Sequence, residues 1–167
     1  MRICVKIGDV LEYEADVLIS TANPWLNLSG GVNGAILSKC GSSIQEELHS
    51  HLKHLGLAAV PAGTVVRSSP GTLPFRHILH AVAIDPFYDS SVELVRATWA
   101  TVFSKAIELE ANTISSPTLA TGYGPLSIEE TAQALVPLVD DDRFMRLFLT
   151  LVVRTPEAAD ILSVAFD

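Results

Sequence analysis

The chain has 167 residues, 49% of them hydrophobic, with 11 basic and 19 acidic residues and a net charge of −8. This length and apolar content fit one folded domain and exclude a disordered chain. No apolar run approaches the roughly 18 residues of a membrane span, and basic residues nowhere cluster as they do in domains that bind the phosphate backbone of nucleic acids.

The N-terminal segment predicts two strands followed by a helix. Residues 2–7 alternate apolar and polar side chains like an edge or half-buried strand, without the long apolar core of a signal peptide. Residues 16–21 are a short apolar run typical of a buried strand. The apolar spacing becomes helical over residues 32–39, and Gly41 is predicted to end this helix.

A second helix and two further strands are predicted next. Ser42 or Ser43 is expected to cap a helix over residues 44–55. Residues 63–69 and 77–84 predict strands, because they are apolar runs on either side of a turn that contains Pro and Gly. The apolar face of the helix consists of Ile44, Leu48, Leu52 and Leu55.

The longest helical pattern covers residues 91–110. Residues 113–119 predict a strand, and residues 127–139 predict a helix in which Ser127 is the N-cap and Glu130 completes a capping box. The apolar side of the longest helix consists of Val95, Thr98, Trp99, Val102, Phe103 and Ile107.

The C-terminal segment completes an alternating pattern of strands and helices. Residues 147–154 predict a buried strand, and residues 156–166 predict a closing helix with Pro156 near its first turn. Strands that alternate with helices indicate a layered α/β domain. Ligands of such folds bind at the carboxyl ends of the strands, so the loops that follow strands are the candidate site.

Two strand-to-helix junctions carry the candidate ligand-binding loops. Residues 18–37, “LISTANPWLNLSGGVNGAIL”, place Gly30, Gly31 and Gly34 at a helix start, and residues 117–130, “PTLATGYGPLSIEE”, form a second glycine-rich junction. Glycine turns can point several backbone N–H groups at one anion, and a helix start adds its dipole. Two such turns facing each other would form a trough for a diphosphate without any lysine.

Four motifs occur in order along the chain: “GDVLEYEADVLISTAN”, “SGGVNGAI”, “ILHAVAI” and “LATGYGPLS”. In this order they resemble the macro domain, an ADP-ribose-binding family. The first is similar to the family's Gly-Asp-Ile/Val start and its strand ending in Asn-Ala-Ala-Asn, and the second to its Gly-Gly-Gly-Val-x-x-Ala-Ile phosphate loop. The third resembles the internal strand with a histidine before an apolar pair, and the fourth the Ser/Gly-Thr-Gly-type loop.

The resemblance covers nearly the whole chain and implies one fold for it. The expected architecture is a three-layer α/β/α sandwich with a mixed, mostly parallel central sheet. We expect residues 1–167 to form a single macro domain.

The resemblance also assigns roles at the two ends of an ADP-ribose cleft. Asp9 matches the family position whose carboxylate accepts a hydrogen bond from the adenine amino group, a bond that the carbonyl of guanine would not make. Asn23 matches the last Asn of Asn-Ala-Ala-Asn, which hydrogen-bonds the distal ribose. The alternatives are that Asp9 only caps the following turn and that Asn23 is a turn residue ahead of Pro24.

Between these ends, the glycine-rich turns are implied to hold the diphosphate from two sides with backbone amides. Arg154 stands where family members often place an aromatic ring against adenine. Its guanidinium plane can stack on a base, or it is a surface residue at a strand end. The complete implied ligand-binding set is Asp9, Val10, Ala22, Asn23, Gly30, Gly31, Val32, Asn33, Thr121, Gly122, Tyr123, Gly124 and Arg154.

Three positions depart from the pattern of hydrolytic macro domains. Those enzymes often carry Asp where this chain has Asn33, and an amide cannot deprotonate a water. Ser20 replaces the first Asn of Asn-Ala-Ala-Asn, and Leu37 stands where some of those enzymes have histidine. Because some family members hydrolyse with a water held by ligand phosphate and backbone, catalysis stays open, with Asn23 and Asn33 as the candidate catalytic residues.

The remaining histidines and cysteines predict no metal site, and no cofactor is expected. His49, His51 and His54 lack a metal-ligand set, and a solvated helix face is the favoured interpretation. Cys4 and Cys40 have no metal-ligand spacing and are interpreted as reduced core thiols of a cytoplasmic protein.

Three functions are compatible with these residues. The first is a module that binds free or protein-linked ADP-ribose, with no nucleic-acid or membrane partner. The second is an enzyme at the same site that removes ADP-ribose from acidic side chains, or phosphate from ADP-ribose 1″-phosphate (Appr-1″-p processing). The third is a domain for FMN or a dinucleotide. It is disfavoured, because no Gly-x-Gly-x-x-Gly follows the first strand and no ribose-binding acid lies about 20 residues beyond it.

Overall fold

Six strands form one sheet in the computed structural model, which describes residues 1–167. They are β1 (Arg2–Ile7), β2 (Val17–Thr21), β3 (Val65–Ser68), β4 (His77–Ala81), β5 (Thr113–Ser116) and β6 (Phe148–Val153). Across the sheet they lie in the order β1-β6-β5-β2-β4-β3, and β3 alone runs antiparallel to its neighbour. β2 is central, with Val17 beside Ile114 of β5 and His77 of β4.

The helices are α1 (Gly31–Cys40), α2 (Ser43–Leu55), α3 (Val92–Glu108), α4 (Ile128–Val139) and α5 (Pro156–Phe166), with two short 3₁₀ helices at Val10–Glu12 and Asp142–Phe144. Their ends follow local chemistry. Ser127 and Glu130 form the predicted capping box of α4, and Gly41 and Gly56 end α1 and α2 with positive φ. No helix combines the length and apolar composition needed to cross a bilayer.

The helices cover both faces of the sheet. The larger core lies under α3, α4 and α5 and contains Trp99 and Phe103, whose ring centroids are 5.3 Å apart. The smaller core joins α1 and α2 to the other face through Ile36, Leu48 and Ile78. The predicted three-layer α/β/α sandwich with a mixed, mostly parallel sheet is therefore confirmed.

Five strands are shorter than the sequence predicts. Pro117 has no N–H to donate, and β5 ends just before it. Residues 82–84 stay buried after β4 has ended, so they keep an apolar pattern without being part of the strand. The strands predicted over 16–21, 63–69, 77–84, 113–119 and 147–154 are observed with the narrower bounds of β2, β3, β4, β5 and β6.

Two predictions of burial are wrong. The Leu55 side chain is 50% exposed, because this last residue of α2 lies past the core, just before the left-handed Gly56. Cys4 and Cys40 are half-buried free thiols instead of core residues. Cys4 lies on the edge strand β1 and Cys40 at the end of α1, where neither is fully covered.

The chain leaves two neighbouring strands towards opposite faces of the sheet. β2 leads to α1 on one face, and its parallel neighbour β5 leads to α4 on the other. Both carboxyl ends lie at the same edge, which they share with the carboxyl ends of β1 and β6. A crevice therefore opens between the two connections, at the edge where open α/β sheets bind ligands.

Asp16 connects β2 and β5 at their amino ends, on the side of the sheet away from the crevice. Its carboxylate accepts hydrogen bonds from the N–H groups of Asn112 (2.9 Å) and Thr113 (3.1 Å) and from the Thr113 hydroxyl (3.1 Å), and it lies 3.4 Å from the Arg76 guanidinium. Burial by itself would raise the pKa of this carboxyl, but the hydrogen bonds hold the pKa below its ordinary value. The ionised side chain thus joins the start of β2 to the start of β5.

His80 is a fully buried histidine of β4. Its Nε2 lies 2.8 Å from Ser68 Oγ on β3, and its Nδ1 has no hydrogen-bond partner. Burial lowers the pKa of His80 to about 4, because the charged imidazolium would lose its hydration. The ring is therefore neutral in the native protein at neutral pH.

We expect the free energy of unfolding to fall as the pH drops below the ordinary histidine pKa of 6.5. Only the unfolded chain then binds a proton at His80, so stability that is present at neutral pH decreases by about 3 kcal/mol by about pH 4. Urea denaturation across this range should show a smaller loss for His80→Gln than for the wild type. The exposed His51→Gln is the control, and parallel curves for all three proteins would contradict the expectation.

Candidate functional site

The first glycine-rich loop joins β2 to α1 and ends in a helix start with free amides. Gly30 is the N-cap of α1 and has a φ of +63°, where a side chain would be strained. No side chain caps this helix, and the N–H groups of Gly31, Val32 and Asn33 donate to no other group. These donors and the positive end of the helix dipole lie at the crevice.

The second glycine-rich loop joins β5 to α4 in a tight turn. Ala120 and Gly122 have φ of +58° and +74°, and the Leu126 N–H donates to the Ala120 carbonyl at 3.1 Å. A Cβ on Gly124 would lie 2.2 Å from that carbonyl oxygen, so the turn requires glycine there. The N–H groups of residues 121–124 donate to no other group, which provides a second set of free amides.

The two loops enclose a cleft made of adjoining cavities of about 180 and 550 Å³. The smaller cavity lies towards the ends of β2 and β4, and the larger towards the ends of β1 and β6. Tyr123 reaches from the second loop to the first, where a Cβ on Gly30 would lie 2.5 Å from its Oη. The residues that line both cavities are Thr21, Ser29, Gly30, Asn33, Thr121 and Tyr123.

The structure brings all of the predicted site residues except Asp9 together at this cleft. Ala22, Asn23 and Gly124 line the smaller cavity. Asp9 is the one member of the predicted set that does not line either cavity, although its neighbour Val10 does. The larger cavity is lined by Val10, Gly31, Val32, Gly122 and Arg154, and the four remaining members line both cavities.

Asp9 lies close to Arg154, which lines the larger cavity. Asp9 Oδ1 accepts a hydrogen bond from the Leu11 N–H at 3.0 Å, so the predicted turn-capping contact is present. The same oxygen lies 3.9 Å from the Arg154 guanidinium, and the Arg154 side chain is 68% exposed. Asp9 Oδ2 accepts no hydrogen bond within the chain.

Two of the three departures from the hydrolytic pattern are partners of each other. The Ser20 hydroxyl donates to Asn33 Oδ1, and Asn33 Nδ2 donates to the Thr21 carbonyl. Ser20 is fully buried and Asn33 nearly so. The Asn33 amide thus connects the start of α1 to the end of β2. Leu37, the third departure, is partly exposed on the next turn of α1.

Asn23 lies at the rim of the smaller cavity with half of its amide already engaged. Its Nδ2 donates to the Asn27 carbonyl at 3.0 Å, and its Oδ1 accepts from the Asn27 N–H at 3.1 Å. One N–H and one lone pair of the amide have no partner in the chain. The predicted turn role is therefore present, and capacity for a ligand remains.

Sequence reasoning missed the loop that follows β4. Ala83, Ile84 and Tyr88 line the smaller cavity, and the Tyr88 ring centroid lies 6.5 Å from that of Trp25. The available signal was positional, because the carboxyl end of β4 lies at the ligand-binding edge like that of β2. The other missed lining residues include Gly8, Thr21, Ser29, Thr118, Thr155 and Ala158.

The histidines of α2 lie outside the cleft. His49, His51 and His54 are exposed, and His49 Nε2 lies 2.8 Å from Asn27 Oδ1. No three histidine, cysteine or carboxylate side chains are grouped to hold a metal ion. Backbone amides, and not cations, therefore dominate the cleft, where Arg154 is the one basic residue.

Comparison with known proteins identifies the family. A model of the macro domain matches residues 19–135. The chain belongs to the macro domain family. It is 34% identical over 129 residues to a macro domain-containing protein of Listeria monocytogenes serotype 4b, covering 74% of this chain and 71% of that protein. An uncharacterized protein of Sulfurisphaera tokodaii is 33% identical over 141 residues, covering 83% of this chain and 75% of that protein.

Solved macrodomain structures share the fold. The Oceanobacillus iheyensis macrodomain with ADP superposes with a TM-score of 0.86 at 22% identity, covering 98% of this chain and 88% of that one. The Trypanosoma brucei macrodomain in complex with ADP-ribose superposes with a TM-score of 0.82 at 17% identity, covering 99% and 69%.

The turn geometry predicts opposite effects for two glycine substitutions. Gly124→Ala should lower the free energy of unfolding by about 2 kcal/mol or more, because its Cβ would overlap the Ala120 carbonyl. Gly34→Ala is the control: it lies within α1 with nothing within 4 Å of an added Cβ, so it should stabilise by about 0.5–1 kcal/mol. Urea denaturation measures both, and equal effects would contradict the tight turn.

Proposed function

We propose that the cleft binds ADP-ribose, either free or attached to a protein. One observation carries this proposal: two glycine-rich turns present the free amides of residues 31–33 and 121–124 to one cleft. A diphosphate accepts hydrogen bonds on all its outer oxygens, and amides at a helix start bind it without a basic side chain. The net charge of −8 is compatible with such a ligand, because the binding groups are dipoles of the backbone.

The adenine would lie in the larger cavity near Asp9 and Arg154. Asp9 Oδ2, which has no partner in the chain, would accept a hydrogen bond from the adenine amino group. Arg154 is held 3.9 Å from Asp9 by their shared place at the ends of β1 and β6. Its planar guanidinium would cover the base where other family members carry an aromatic ring.

The distal ribose would lie in the smaller cavity. The free N–H and lone pair of Asn23 would bond ribose hydroxyl groups. Ala81, Ala83 and Ala120 line the same cavity and leave room for a sugar ring. The macrodomain structures of this fold that contain ADP or ADP-ribose support the proposal.

Hydrolysis and Appr-1″-p processing at this site are not part of the proposal. The Asn33 amide has no basic group, and its two polar atoms are engaged with Ser20 and Thr21. Asn23 likewise offers an amide, which orients a hydroxyl group but accepts no proton. The residues of the cleft therefore favour a binding module over an enzyme.

We propose that residues 1–167 act as one macro domain, because β1 and β6, from the two ends of the chain, pair with each other beside the cleft. We also propose a cytoplasmic location, which the two free thiols, Cys4 and Cys40, support.

Calorimetric titration tests the proposed ligand. ADP-ribose should bind more tightly than ADP, which lacks the distal ribose, and more tightly than GDP-ribose, which lacks the adenine amino group. Weaker binding of ADP would support the distal-ribose end of the cleft, and weaker binding of GDP-ribose would support the adenine end. If ADP-ribose gives no binding while the protein is folded, the proposal is wrong.

Asp9→Asn should change the base preference without unfolding the turn. Asparagine keeps the cap on the Leu11 N–H through its oxygen and would present an amide donor where Asp9 Oδ2 stood. We expect the variant to bind ADP-ribose about tenfold more weakly than the wild type does. Its preference for ADP-ribose over GDP-ribose should become smaller or reverse, since guanine offers a carbonyl acceptor to the new amide donor. Unchanged affinities for both ligands would show that Asp9 does not bind the base.

A turnover assay separates binding from hydrolysis. We expect the wild-type chain to leave the label on a protein that is ADP-ribosylated on acidic side chains, because neither Asn23 nor Asn33 can act as a general base. The Asn33→Asp variant, which introduces a carboxylate, is the matched comparison. Release of the label by the wild type at enzymatic rates would overturn the assignment as a pure binding module.

A further inference from the structure

The loop that carries Asn23 into the cleft is held by a helix that does not line the cleft. Residues 23–28 lie between the end of β2 and the glycine-rich start of α1. Gln45 and His49 of α2 contact this loop, and neither residue lines either cavity. The contacts are specific polar ones, so they define the position of the loop and not merely its burial.

Gln45 hydrogen-bonds the loop through both the nitrogen and the oxygen of its carboxamide. Its Nε2 donates to the Leu26 carbonyl at 2.8 Å, and its Oε1 accepts from the Leu28 N–H at 2.6 Å. These two groups belong to the two peptide units on either side of Asn27. Satisfying both with one planar side chain fixes the two units relative to each other.

Asn23 binds the remaining polar groups of the same two peptide units. Its carboxamide accepts from the Asn27 N–H at 3.1 Å and donates to the Asn27 carbonyl at 3.0 Å. The backbone around Asn27 therefore lies between two carboxamides, that of Asn23 at the cleft and that of Gln45 on α2. Every N–H and C=O of the two units has a partner.

Two further features fix this arrangement. His49 Nε2 lies 2.8 Å from the side-chain oxygen of Asn27, which adds a second contact from α2. Leu26 has a φ of +54°, a conformation that costs free energy in a non-glycine residue, and its side chain is 1% exposed. The hydrogen bond from Gln45 to the Leu26 carbonyl helps to hold this strained peptide.

The consequence lies in the orientation of the Asn23 amide. With one edge bonded to Asn27, the amide cannot flip, and its free N–H and free lone pair keep fixed positions at the smaller cavity. A donor and an acceptor that are already oriented bind a ligand without a further loss of side-chain freedom.

We propose that Gln45 and His49 are positioning residues for the sugar-binding end of the cleft. They orient Asn23 through the backbone of Asn27, although they touch no part of the cleft themselves. The ligand group that depends on them is a ribose with free hydroxyl groups. This inference rests on the proposed function, in which Asn23 bonds the distal ribose.

Calorimetry on Gln45→Leu with two ligands tests the proposal. Binding of ADP-ribose should weaken about tenfold, because one oriented hydrogen-bonding group is lost. Binding of ADP, which has no distal ribose, should change by less than about threefold. His49→Ala should act in the same direction with a smaller effect. His51→Ala is the matched control, since this exposed histidine of the same helix makes no hydrogen bond to the loop.

A double-mutant cycle and amide exchange distinguish positioning from general destabilisation. In an Asn23→Ala background, Gln45→Leu should have no further effect on ADP-ribose binding. Hydrogen exchange at the Asn27 amide should accelerate in Gln45→Leu, with the exchange of core amides unchanged.

The outcomes separate this inference from the proposed function. A wild-type chain that binds ADP-ribose no better than ADP overturns the ribose role of Asn23, and the positioning role is lost with it. A wild-type chain that prefers ADP-ribose overturns the positioning role alone if Gln45→Leu keeps that preference. Equal weakening of both ligands, or an effect that persists without the Asn23 amide, also overturns it.

Discussion

The divergence of the chain after β2 and β5 determines the rest of the site. These parallel neighbours end at one edge of the sheet, and their connections turn to opposite faces. Neither α1 nor α4 can then cover the space between them, and both glycine-rich turns border it. The polar groups that the two turns present there are consequently backbone amides, whose positions are fixed by the sheet and not by mobile side chains. A site of this kind needs no cluster of lysines, which explains how an acidic chain can present a surface for a diphosphate.

The departures from the hydrolytic pattern follow from the same geometry. Asn33 stands at the start of α1, directly beside the end of β2, and Ser20 is the strand residue within reach of it. A carboxylate at position 33 would be a buried negative charge near the place proposed for the diphosphate, whereas the amide is neutral and satisfied by Ser20 and Thr21. Ser20 and Asn33 therefore form a structural link between strand and helix at the position where hydrolytic macro domains often carry a proton-accepting carboxylate.

Sequence reasoning predicted the elements whose ends carry local signals. Gly41, the capping box at Ser127 and Pro156 place the ends of α1, α4 and α5 correctly, because turn and cap chemistry acts over a few residues. The strand ends were predicted less well, since residues 82–84 stay buried beyond the ladder of β4. The loop after β4 was missed for a related reason: Tyr88 enters the cleft without any glycine motif, and only the order of the strands brings it there.

Backbone strain is concentrated around the cleft, which bears on how a ligand would bind. Of the four non-glycine residues with positive φ, Leu26, Tyr88, Glu110 and Ala120, three belong to the loops that form the cleft. Leu26 and Ala120 are buried, and the Tyr88 N–H donates to the Asp85 carbonyl, so packing and hydrogen bonds hold these conformations before any ligand arrives. The free-energy cost of shaping the cleft is thus met during folding. Binding then loses little conformational freedom in the protein, and affinity depends on how well a ligand matches donors and acceptors that are already in place.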